Sequence, residues 1–124
     1  MKKLLYGVSA VGLLLLNACR HDPEIPVSPE ISFLTDVQPI LAGNCNMSSC
    51  HGGGGNHEPG SLVTYDDVIH TGEIHANEAH SSKLYKLITK SSGEDKMPPD
   101  PASPLTDKQI LTIYLWIEQG AKNN

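Results

Sequence analysis

Apolar and polar positions divide this chain into three parts. Residues 4–16 are almost entirely apolar, preceded by Lys2 and Lys3 and ending in Leu16-Asn17-Ala18-Cys19. A basic start, a short apolar run and small residues at its end predict a secretory signal over residues 1–18, too short to span a bilayer comfortably. Residues 19–31 follow as a tether, where Pro23, Pro26 and Pro29 predict an extended, semi-rigid spacer with no core of its own.

Helical periodicity recurs beyond it. A first helix is expected from 34 or 35 to 42, with Thr35 as N-cap, Asp36 at the positive end of its dipole, and Val37, Ile40 and Leu41 on one face. Pro39 falls early enough to be tolerated, and Gly43-Asn44 ends the helix. A short helix over 65–70 started by Thr64, and another over 82–89 with Leu84, Leu87 and Ile88 as its stripe, come next. The proline-rich segment 91–103, which holds Met97, reads as loop, as does 48–60 with glycines at 52–55. The last helix has the clearest signature. Thr106-Asp107-Lys108-Gln109 fits a capping box, Ile110, Ile113, Tyr114 and Ile117 repeat at helical spacing, and Leu111, Leu115 and Trp116 widen the stripe up to Gly120. No segment alternates as a strand does, and no repeat is visible. The expectation is a small all-α domain over 32–121 with long loops.

Charge narrows the function classes. Of nine Lys and Arg against fourteen Asp and Glu, loss of Lys2 and Lys3 with the signal leaves seven basic residues and a formal charge of −7. That balance argues against nucleic acid, whose phosphates require clustered cations. It suits a basic partner or simple solubility.

The three cysteines carry the chemistry. Leu16-Asn17-Ala18-Cys19 resembles the lipobox of bacterial lipoproteins, which implies lipidation of Cys19 and membrane attachment through the lipid. More than one acyl chain is needed for stable anchoring. By resemblance to lipoprotein sorting rules, Arg20 implies the periplasmic side of the outer membrane. An ordinary signal with an incidental Cys19 is the alternative. Cys45 and Cys50 lie five apart, and His51 follows directly. A c-type haem is attached by two cysteine thiols, with a histidine immediately after the second to ligate iron. The usual interval between the cysteines is two residues; here it is four, while the Cys50-His51 adjacency is kept.

The chain resembles the class I-like c-type cytochrome domains of the planctomycete type over residues 33–121. The resemblance rests on Phe33-Leu34-Thr35-Asp36-Val37-Gln38-Pro39-Ile40, the Cys45 to His51 segment, Ser82-Lys83-Leu84-Tyr85, Met97-Pro98-Pro99 and Trp116-Ile117-Glu118-Gln119-Gly120-Ala121. It implies one covalent haem c with thioether bonds at Cys45 and Cys50, His51 as proximal and Met97 as distal axial ligand, and a helical domain wrapped around the porphyrin. Two features of the residues agree. Phe33, Tyr65, Tyr85, Tyr114 and Trp116 are the domain's only aromatics, and a domain this small is marginal without a metal, disulfide or cofactor. Pro98 also forces Met97 out of helical geometry. Polypeptide alone should then leave an apolar void between His51 and Met97.

Other readings stay open at this point. Cys45 and Cys50 suit a plain disulfide, and Cys45, Cys50, His51 and His57 suit a zinc site, although no second cysteine pair exists. The distal ligand is Met97 or one of His57, His70, His75 and His80, unless the position is open. The glycines at 52–55 lack the Gly-Lys-Ser/Thr of a phosphate cradle. No nucleophile–base pair or paired carboxylates mark an enzyme. The expected function is one-electron transfer in the cell envelope, with redox proteins as transient partners. A haem-based sensor or ligand-binding module, or an accessory haem subunit of a larger oxidoreductase, is the alternative.

Overall fold

The computed structural model describes residues 29–47, 50–52 and 60–124. The expected signal, Cys19, the tether up to residue 28, Ser48, Ser49, His57 and the glycines at 53–55 lie outside the described residues. The described part is helical: α1 (Gln38–Asn44), α2 (Tyr65–Thr71), α3 (Lys83–Ile88) and α4 (Asp107–Glu118), with no strand among the described residues. A wide turn, Phe33–Val37, runs directly into α1, and a tight 3₁₀ turn, Ala79–Ser81, precedes α3.

The first helical segment begins earlier than the sequence suggests, and Ser32 rather than Thr35 caps it. Ser32 Oγ accepts the Thr35 N–H at 3.3 Å, and Asp36 Oδ2 accepts the Ser32 N–H at 2.8 Å. The turn is π-wide, with the Val37 N–H donating to Ser32 O at 3.2 Å and the Gln38 N–H to Phe33 O. Pro39 supplies the reason. It has no N–H to offer the carbonyl four residues back, and its ring would crowd that carbonyl in a regular α-turn. One extra residue in the turn opens the space.

Thr64 starts α2 through a full capping box, with Asp67 Oδ2 accepting the Thr64 N–H at 3.0 Å and Thr64 Oγ1 accepting the Asp67 N–H at 3.2 Å. Before α3, Ser82 makes no capping bond. Its buried hydroxyl instead accepts the His75 N–H at 2.9 Å and lies 3.0 Å from Glu78 O, so it folds the 75–82 segment upon itself. The Thr106–Gln109 capping box of α4 forms as read from the sequence. The α4 stripe is narrower than read: Ile113, Trp116 and Ile117 are buried, but Leu111 is 53% exposed. Leu111 follows Ile110 by one residue, a rotation of about 100° that carries it off the core face.

Phe33, Tyr65 and Trp116 form the aromatic centre. Phe33 meets Tyr65 edge-on at 5.2 Å and Trp116 at 5.5 Å. Both polar handles are satisfied by the chain beyond α4: Tyr65 Oη donates to Ala121 O at 2.8 Å and Trp116 Nε1 to Lys122 O at 2.9 Å. Gly120 takes φ +98, the left-handed value that lets the chain reverse there. The returning segment then ties down the start of the domain, with the Phe33 N–H donating to Asn124 Oδ1 at 2.9 Å and the Leu34 N–H to Asn124 O at 2.9 Å.

Urea denaturation should separate the cap of α4 from its exposed face. Thr106→Ala removes the cap and should lower stability by about 1 kcal/mol. Leu111→Ala should change it by less than about 0.5 kcal/mol, as surface substitutions do.

Candidate functional site

The site begins where α1 stops. The Cys45 and Asn46 N–H groups both donate to Leu41 O, at 2.7 and 3.0 Å, turning the chain off the helix axis. The Cys50 and Gly52 N–H groups then return to Met47 O at 2.8 and 3.2 Å, and the His51 N–H reaches Cys45 O at 3.0 Å. The long interval between the cysteines is therefore closed by its own backbone, which brings His51 back beside Cys45. Gly52 is required for the closure. A Cβ there would stand 2.5 Å from Asn46 O and 2.9 Å from Met47 O, closer than a side chain tolerates.

His51 is held at further points. The Leu62 N–H donates to His51 O at 3.0 Å, and Asn46 Nδ2 donates to Leu62 O at 3.0 Å. The imidazole Nδ1 lies 2.6 Å from Gly60 O. A carbonyl only accepts, so the ring proton sits on Nδ1 and the lone pair is left on Nε2. An outer hydrogen bond of this kind fixes tautomer and orientation in ligating histidines.

An apolar cavity of about 280 Å³ opens at this point. Cys45, Cys50 and His51 line it from the turn after α1, Leu84, Leu87 and Ile88 from α3, and Met97 with Pro98 and Pro99 from the loop before α4. The void expected between His51 and Met97 is thus present and lined by both. Met97 is placed by its N–H, which donates to Leu87 O at 3.1 Å; an exposed ion pair, Lys90–Asp95 at 3.0 Å, precedes it and another, Lys96–Asp100 at 2.7 Å, spans it. Met47 and Lys83 are among the lining residues that had no site role in the sequence. Met47 lies within the cysteine interval, so its position alone could have pointed to it. Lys83 stands in the Ser82-Lys83-Leu84-Tyr85 segment of the resemblance, but nothing in that segment pointed to the cavity.

The other histidines stand elsewhere. His70 Nδ1 donates to Asp66 O at 2.7 Å, and His80 packs edge-on against Tyr85 and Tyr114 at 5.3 and 5.8 Å. His70, His75 and His80 are exposed and do not line the cavity. His57 and Cys19 lie outside the described residues. Among the described residues no group of three or more His, Cys, Asp or Glu side chains is gathered around a point.

Cys45 is a buried free thiol. Burial, and secondarily the neighbouring Cys50, pushes its pKa up to about 11, so it is neutral at physiological pH. A neutral thiol is a poor nucleophile until it is deprotonated. No protein-family model matches the chain, and no curated protein or solved structure matches it.

Two measurements probe the Gly52 turn and the Cys45 thiol. Gly52→Ala should cost about 1–3 kcal/mol, the range of an overpacked site, as read by thermal or urea unfolding. In the free polypeptide, Cys45 should react with iodoacetamide about 100-fold more slowly at pH 7 than a thiol of ordinary pKa, since rate follows thiolate fraction. That rate should climb with pH until about 11. A Cys45 already fully reactive at pH 8 contradicts the burial.

Proposed function

We propose that this chain is an exported, lipid-anchored c-type cytochrome that carries single electrons. Cys45 and Cys50 would hold one haem c by thioether bonds, with His51 and Met97 as its axial ligands and the all-α domain wrapped around it. One observation carries the reading: two cysteines, an imidazole with its lone pair on Nε2, and a thioether all line a single apolar cavity. The donor set fits the group in chemistry as well as in number. Two cysteine thiols suit thioether attachment, and an imidazole with a methionine sulfur is the ligand pair of electron-carrying cytochromes.

When bound, the haem iron supplies a one-electron couple. The residues of this chain do the rest. The Gly60 carbonyl keeps the His51 ring in one tautomer and one orientation, which limits rearrangement between redox states. Leu62, Leu84, Leu87 and Ile88 keep water away from the site, and low polarity disfavours the more highly charged oxidised state, raising the potential. Met97 is anchored to α3 through Leu87 O, and its sulfur, held there in both redox states, would keep substrate from the bound group. Partner contacts would be small and transient, as redox encounters are, and the acidic surface favours a basic partner. Attachment to the membrane would run through acyl chains on Cys19, on the periplasmic side of the outer membrane. Among the described residues no helix is long and apolar enough to cross a membrane.

Intact mass of the mature protein, purified from a host that attaches haem c, should exceed the polypeptide by one haem plus acyl chains. Colourless material with the mass of polypeptide and lipid alone would sink the proposal. The coloured protein should be low-spin, with a methionine-to-iron charge-transfer band when oxidised. Met97→Ala should lose that band and bind carbon monoxide at once in the reduced form. Retention of the band points to another sulfur, and Met47→Ala is then the variant to measure.

A further inference from the structure

We infer that Lys83 is the cationic anchor for a carboxylate arm of the group that fills the cavity, held in reserve by Glu73 until that group arrives. The inference rests on the haem reading above and deepens it. The cavity lining is almost wholly apolar, and Asn44, His51 and Thr71 are its polar side chains besides Lys83. A c-type haem brings two propionate carboxylates. An apolar interior cannot accept them unpaired, so they must emerge where the lining turns polar. Lys83 is the one charged side chain that the described lining offers there.

The backbone fixes this lysine at the rim. The Leu84 N–H donates to Gly72 O at 2.9 Å, stitching the start of α3 to the end of α2. Gly72 permits the approach: a Cβ there would lie 2.5 Å from Val68 O and 3.2 Å from the Leu84 Cβ. The Lys83 ammonium is 2.8 Å from Glu73 Oε1, with the two side chains 50% and 59% exposed. So exposed a pair holds its partners weakly and is readily redirected. Glu73 itself takes φ +42, in the left-handed region that glycine or asparagine occupies at lower cost. Its carboxylate is the group that meets the Lys83 ammonium. The Lys83 ammonium is held above its usual pKa by Glu73 and the Glu73 carboxyl below its own by Lys83, so both are charged at neutral pH.

The haem-loaded protein and its Lys83→Gln, Lys83→Arg, Glu73→Gln and Lys86→Gln variants test this by redox titration and by the propionate bending mode in resonance Raman spectra. Lys86 lies on the same helix but does not line the cavity, so it controls for charge alone. Loss of the Lys83 cation should favour the oxidised iron and lower the midpoint potential more than Lys86→Gln does, with a shifted propionate mode. Lys83→Arg should keep both near the parent. Glu73→Gln frees Lys83 for the propionate and should raise the potential. Coloured Lys83→Gln protein whose propionate mode is unchanged, and whose potential matches that of Lys86→Gln, overturns the anchor and leaves the haem reading intact. A colourless parent overturns both.

Discussion

The bond between the His51 imidazole and the Gly60 carbonyl is the constraint from which the site follows. At 2.6 Å it decides which ring nitrogen is protonated and therefore which can donate electrons. It is effective because the backbone on both sides is also fixed: the His51 N–H reaches back to Cys45 O and the His51 carbonyl accepts from Leu62. An imidazole on a loose loop would lose several rotatable bonds on meeting a metal. Here much of that ordering is already present in the polypeptide, and in the proposed reading it preorganises His51 for the group it would hold.

The cavity beside His51 interrupts the core. A fully packed domain would close over Leu84, Ile88 and Leu62, which are buried but border empty volume. Apolar voids of this size are destabilising, because the lining atoms lack contacts on one side. The aromatic centre of Phe33, Tyr65 and Trp116, clasped by the segment after α4, offsets part of that cost. The architecture separates two tasks. α4 and the chain ends hold the fold, while the turn after α1, α3 and the Met97 loop surround the space.

In the proposed reading the same division sets the electrostatics. The lining lowers the local polarity and the rim supplies the charge. The Glu73–Lys83 pair stands at that boundary, where solvent screens it and a carboxylate from within can compete for the lysine.

Local chemistry determined a good deal from sequence alone. The α2 and α4 starts at Thr64 and Thr106 were legible because a cap is a matter of residues three apart. The covering of Trp116 and Ile117, and the cysteine–histidine adjacency, are likewise short-range patterns. The Ser32 cap was missed because the widened turn depends on where the Pro39 ring meets a carbonyl, and Leu111 because the width of a buried stripe is set by what packs against it. Only the tertiary structure decided that Met97, and not His70, His75 or His80, shares a cavity with His51. Side chains far apart in sequence meet through the loops between them, and the Met97 loop is tied to α3 by its backbone bond to Leu87. Lys83 belongs to the same class: its segment was legible in the sequence, but its position at the rim comes from the close passage of α3 over Gly72.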